Sequence, residues 1–197
     1  MKPAAKTFGD APFRLFPHQE AWAAWLDKNH LISPGVWLRL AKKGTGAQSV
    51  SYGEALDVAL CYGWIDGQKK GESESTWLQK FVPRARKSIW SKINRQKALA
   101  LVKAGRMRPA GLEQIERAEE DGRWDAAYDS PAGATVPSDF QAALDCNPRA
   151  KAFFAALDRA NRYAILFRIQ TAKKSETRVK RVQQFVKMLE KHKKIHP

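Results

Sequence analysis

The hydrophobic pattern of this 197-residue chain changes period near residue 83, and that change limits the folds open to it. Ahead of it, helix-spaced and alternating segments interleave; behind it, almost every segment repeats at helical spacing. Trp22, Trp25 and Leu26 share a face of residues 18–29, a segment that Pro17 opens at a position where proline is tolerated. Residues 36–41 alternate, with Val36, Leu38 and Leu40 on one side, and read as a half-buried strand. Ser51 and Glu54 have capping-box spacing, and Ala55, Leu56, Ala59 and Leu60 continue a helix that Gly63 ends. Residues 64–69 and 76–82 read as two more strands turning at 70–75, although Asp66–Gly67 is itself a hairpin signal and leaves the register open.

Beyond residue 83, Ser88 is placed to cap a helix that runs to Gly105, and Pro109 opens another that ends at Gly122, with Leu112, Ile115 and Ala118 inward. Residues 128–138 are rich in Pro, Gly, Ser and Thr and read as a linker. Helices follow at 138–145 with 148–159, at 161–171 and at 175–191. The expected fold is α+β: a small, mostly antiparallel sheet with helices in the N-terminal part, then an all-helical C-terminal part. In domain terms this is 1–127 as an α+β domain with trailing helices, 128–138 as a linker and 139–197 as a helical domain.

Composition narrows the class. With 44% hydrophobic and 10% aromatic residues, seven of them Trp, the chain is too apolar for disorder. No apolar run approaches the ~20 residues of a membrane span. The first residues have neither a continuous apolar stretch nor a small-residue cleavage site, so they do not read as a secretion signal. Cys61 and Cys146 are expected to be reduced thiols in a cytoplasmic setting. The net charge of +15 comes in blocks: nine bases and no acid over 83–108, fourteen bases and three acids over 148–197, and two bases and nine acids between them. Such blocks point to an anionic partner rather than to a solubility device.

Several long strings carry a resemblance: ALCYGWIDG (59–67), FVPRARKSIWS (81–91), GRMRPAG (105–111), DGRWDAAYDSP (121–131), NRYAILFRIQTAKKSETRVKR (161–181) and the terminal KIHP. Together they resemble the YdeI/OmpD-associated family, also labelled bacteriocin-protection proteins. The resemblance implies an OmpD-associated-type helical domain at the C-terminus. It also implies a role in resisting antimicrobial peptides and an association with an outer-membrane porin. It brings no catalytic residues with it.

The sharpest local candidate is an anion site of Arg84, Arg86, Lys87, Ser88 and Ser91 beside an expected helix start, where free amides and the dipole favour negative charge. Trp77 and Trp90 can supply stacking faces there. The competing reading is a solvated basic loop with both rings in the core. In 175–191, Val179, Val182, Phe185, Val186 and Leu189 share one face and Lys180, Lys187 and Lys191 the opposite one. Arg178 falls in the apolar sector, so it must snorkel, line a pocket or pair with a carboxylate across a helix junction. A helix-turn-helix reading is disfavoured, because a Lys-rich face contacts phosphates more than bases.

An enzyme would need a pocket between the two halves drawing on Cys61, Trp64, Asp66, Trp90 and Arg178, with His30 reachable only through the fold. His18, His30, His192 and His196 lack metal-ligand spacing except in the tail pair, and Gly44–Thr45–Gly46 is too short for a phosphate cradle. Trp124 reads as a docking aromatic beside the linker. The expectation is therefore a non-catalytic basic protein without cofactor, metal or membrane span, binding an anionic ligand or acidic partner. The alternatives are a small-molecule enzyme and a non-specific nucleic-acid binder.

Overall fold

The computed structural model describes residues 7–8 and 11–197. Its strands are β1 (Thr7–Phe8), β2 (Ala11–Arg14), β3 (Val36–Ala41), β4 (Trp64–Gly71) and β5 (Thr76–Pro83), in the order β1-β2-β3-β5-β4. Among the described strands only β2 and β3 pair in parallel. The sheet is thus mostly antiparallel, as the alternation in the sequence predicts. It is also more deeply covered than expected. Trp37, on the opposite face of β3 from Val36 and Leu38, is buried against Leu78 and Phe13.

The helices α1 (Gln19–Asn29) and α2 (Tyr52–Cys61) belong to the same part of the chain. Trp22 of α1 packs its ring against Trp64 and Phe81 and donates its indole N–H to the Ala55 carbonyl at 3.1 Å. The capping box forms at α2: Glu54 N donates to Ser51 Oγ and Ser51 N to Glu54 Oε2. Gly63 follows with φ +71°, the left-handed turn that a helix end requires.

The turn between β4 and β5 lies at 72–75, where Ser73 Oγ accepts from the backbone N–H groups of Ser75 and Thr76. Asp66–Gly67 forms no hairpin. The pairing instead shifts register between Asp66 and Lys69, and the Gln79 amide donates to the carbonyls of Gly67 and Gln68 freed by the bulge.

Helices α3 (Lys92–Lys103) and α4 (Pro109–Glu120) follow. The start of α3 expected just after a Ser88 cap is corrected by three residues, because the preceding backbone is engaged elsewhere. Ser88 N donates to Ala85 O, Ser91 forms a bridge with Tyr128, and Tyr128 N donates to Trp90 O. In α4, Ile115 and Ala118 are buried as expected, but Leu112 is exposed and Gly111 takes the inward place. A Cβ on Gly111 would lie 2.4 Å from the Cys61 carbonyl, so only glycine lets α4 approach the end of α2 this closely.

The last helices are α5 (Ser138–Asp145), α6 (Pro148–Ala156), α7 (Arg159–Gln170) and α8 (Ser175–Glu190). They enclose Phe140, Leu144, Phe154, Ile165, Ile169, Val182, Phe185 and Leu189. α6 stops before residue 159 because Asp158 becomes the cap of α7, accepting from Asn161 N at 2.8 Å. Val179, placed on the apolar face by its spacing, is 54% exposed.

The chain divides into two compact units, residues 1–89 with 94–125 and residues 90–93 with 126–197. The first is α+β and the second helical. Among the described residues no helix is long and apolar enough to cross a membrane.

Candidate functional site

In the 83–91 segment the structure separates the five expected anion-binding residues. Arg84 turns inward: it is buried, its backbone N–H donates to Gly63 O at 3.0 Å and its guanidinium reaches Ile89 O at 3.4 Å. Ser88 lies in a turn, and its carbonyl accepts from Arg123 Nη1 at 2.7 Å. Ser91 is half-buried in the bridge to Tyr128. Trp90 is buried and belongs to the second unit, whereas Trp77 rests against Tyr52 in the first. Of the five, only Arg86 and Lys87 are exposed and without hydrogen bond or ion pair among the described residues.

Arg86 also lines a cleft of about 470 Å³ with Arg117, Glu120, Asp121 and Arg123. Arg123 is built into its wall. Nε donates to both Asp121 oxygens at 2.7 Å, and Nη2 donates to Arg117 O at 3.1 Å. Arg117 pairs with Glu113 one turn away. A buried arginine with this many partners is a structural post, which leaves Arg86 as the cation of this cleft without a carboxylate partner among the described residues.

A second cleft of the first unit, about 300 Å³, holds Cys61, Tyr62, Arg106 and Arg108. Burial pushes the Cys61 thiol above its ordinary range, and Arg106 only partly opposes this. Tyr62 donates its hydroxyl to Asp27 at 2.6 Å, and Arg108 lies over its ring at 5.9 Å. Burial and then the Asp27 contact raise the Tyr62 phenol. The other residues of the expected pocket are occupied in other ways. Trp64 donates to His30 O at 3.1 Å, Asp66 accepts from Tyr52 Oη at 2.8 Å, and the His30 ring stays on its own helix beside Leu26 O.

In the second unit Arg178 takes the carboxylate-paired form. Nε and Nη2 reach the two Asp139 oxygens at 2.6 and 2.8 Å, and Nη1 donates to Ile169 O at 3.2 Å. These bonds hold the Asp139 carboxyl below its usual range and raise the Arg178 guanidinium. Lys180, Lys187 and Lys191 are exposed on the outer side of α8, and so are Lys173, Lys174, Lys193 and Lys194 at its two ends. Among the described residues none of these lysines forms an ion pair.

Asn161 is a structural residue that the sequence reading did not single out. It is 1% exposed, and its Oδ1 accepts from Ile195 N at 3.0 Å and His196 N at 2.9 Å. A polar residue at an inward helical position is the signal that marks it. Among the described residues no group of three or more His, Cys, Asp or Glu side chains is placed to hold a metal ion, and the His192 ring stacks on Phe153.

Comparison with known proteins gives two matches along the chain. Residues 14–114 match a family model described as a domain of unknown function (DUF8412). Residues 133–192 match one described as Bacteriocin-protection, YdeI or OmpD-Associated. No curated protein and no solved structure matches the chain.

Proposed function

Residues 133–192 form a domain of the bacteriocin-protection, YdeI or OmpD-associated family, and on that basis we propose that the chain is a non-catalytic protein that binds a polyanionic surface. The observation that carries this reading is the set of exposed lysines on and around α8, none paired with a carboxylate among the described residues. Lysines held this way attract phosphate, sulfate or carboxylate arrays without reading their sequence, and release counterions when they bind. Arg86 and Lys87 add a smaller cationic point on the first unit. The protection that the family's description names would then act by covering an anionic surface. A cytoplasmic setting belongs to the same reading and draws on Cys61 and Cys146, which are both unbridged. The enzyme alternative gains little from Cys61, because a thiol raised by burial is poor in the reactive thiolate.

The test is binding of heparin and of labelled single- and double-stranded nucleic acid at low and moderate salt. Wild type should bind at low salt and weaken steeply as salt rises. For duplex DNA, a Lys180→Gln/Lys187→Gln/Lys191→Gln variant should reduce the salt slope by about one per lysine that meets a phosphate. An Arg86→Ala/Lys87→Ala variant should lose less. Failure of every polyanion to bind at low salt, or equal binding by the lysine variant, would overturn the proposal.

A further inference from the structure

We infer that the second unit carries a groove for a free single-chain anionic amphiphile, an alkyl carboxylate, along one face of α7. The segment YAILFRI (163–169) within this helix is apolar nearly all round, which suggests a core element. In the structure only part of that surface is enclosed. Ala160, Tyr163, Ala164 and Phe167, at helical spacing, line an open groove of about 580 Å³ together with Pro131. A second hollow of about 290 Å³ shares Pro131, Arg159 and Tyr163 and extends to Leu166. The larger has the size and apolar character that small-molecule sites have, and the smaller adds a more polar extension.

The rim is cationic. Arg159 borders both hollows, is exposed, and has no hydrogen bond or ion pair among the described residues. Arg168 gives one N–H to Ala164 O at 2.9 Å, and Arg162 gives one to Phe154 O at 3.1 Å, so each guanidinium keeps further donors. Among the described residues no carboxylate lines either hollow. The acids nearest in sequence are engaged: Asp158 by Asn161, and Asp129 by Lys92 at 2.6 Å and Gln170 at 2.8 Å.

The walls are also held in place. Tyr163 donates its hydroxyl to Asp129 O at 2.9 Å, the Tyr128 ring meets Phe167 edge-on at 4.9 Å, and Asn161 pins the backbone of His196, a lining residue. An apolar trough with arginines at its edge and no lining acid is complementary to a hydrocarbon chain that ends in a carboxylate.

The experiment uses the full chain, with anilinonaphthalene sulfonate as the fluorescent probe and dodecanoate as its competitor. Dodecanol and dodecyltrimethylammonium are the charge controls. Dodecanoate should displace the dye, and the two controls should compete at least several-fold less well. Ala160→Trp, which fills the groove from an exposed position, and Arg159→Glu should each weaken dodecanoate roughly tenfold, the scale of a lost charge-assisted contact. Arg159→Glu alters an exposed rim residue and keeps the test valid if Ala160→Trp does not fold. The Lys180→Gln/Lys187→Gln/Lys191→Gln variant should bind dodecanoate like wild type, which separates this site from the polyanion surface. Unchanged affinity in Arg159→Glu, equal competition by dodecanol, or binding only to anionic phospholipid vesicles would overturn the inference.

Discussion

Asn161 and Asp139 show how single polar side chains organise the helical unit. Asn161 accepts from two backbone N–H groups of the tail while its own amide donates to Asp158 Oδ2 at 2.7 Å. Asn161→Ala leaves those tail groups without their acceptor, and a loss of roughly 2 kcal/mol is expected. A urea titration followed by circular dichroism measures it. Asp139 gives a pH dependence. Because Arg178 lowers its folded pKa, the pair's contribution is complete above the unfolded carboxyl value of about 4 and disappears as pH falls through the lower folded one. The pair is partly exposed, so the effect should be small. Asp139→Asn should flatten that acid limb of a stability–pH profile, and an unchanged profile would refute the assignment. That Arg178 must snorkel, line a pocket or pair with a carboxylate was legible, since a cation in an apolar sector must be compensated. Asp139 was not, because it lies 39 residues away and only packing brings it near.

Elements test how local rules meet packing. The Ser51–Glu54 box formed as its spacing predicts, because a cap depends only on neighbouring residues. Ser51→Ala should cost about 1 kcal/mol of stability, read from a denaturation midpoint. The close contact of α4 with the end of α2 gives a sharper contrast. Gly111→Ala places a methyl group 2.4 Å from the Cys61 carbonyl and should destabilise by about 2 kcal/mol or more. At Gly53 a Cβ meets nothing within 4 Å, so Gly53→Ala in the same helix pair should be neutral or stabilising by up to ~1 kcal/mol. Similar losses in both variants would refute the close-approach account. Helical spacing favoured Leu112 for the inward place that Gly111 occupies, because periodicity gives a face but not the distance to the neighbouring helix. The start of α3 failed for a related reason: Tyr128, far along the chain, captures the backbone at Trp90 and Lys92 before a helix can begin.

Across the whole molecule, the charge is partly absorbed and partly displayed. Arg84 and Arg123 of the sequence's basic and acidic stretches are buried, and Arg178 is half-buried against its carboxylate, while the lysines around α8 remain exposed. Polyanion affinity should therefore follow the lysine substitutions rather than the net charge of +15. The units do not follow chain order, since residues 90–93 belong with 126–197. A fragment of residues 126–197 lacks the Lys92 partner of Asp129 and the strand bridge at Ser91. It should melt at lower temperature than the same unit in the full chain, as a thermal scan by circular dichroism can check. The sequence by itself determined the α+β-then-helical order, the Ser51–Glu54 cap, the lysine face of α8 and the likeness of residues 133–192 to the OmpD-associated family, because these rest on spacing and on neighbours in the chain. Only the tertiary structure decided which cations stay free, where Arg178 finds its carboxylate, and that one face of α7 lines a groove instead of filling a core. Those outcomes depend on contacts between residues far apart in sequence, and burial costs charge too much for any cation to remain inside without such a contact.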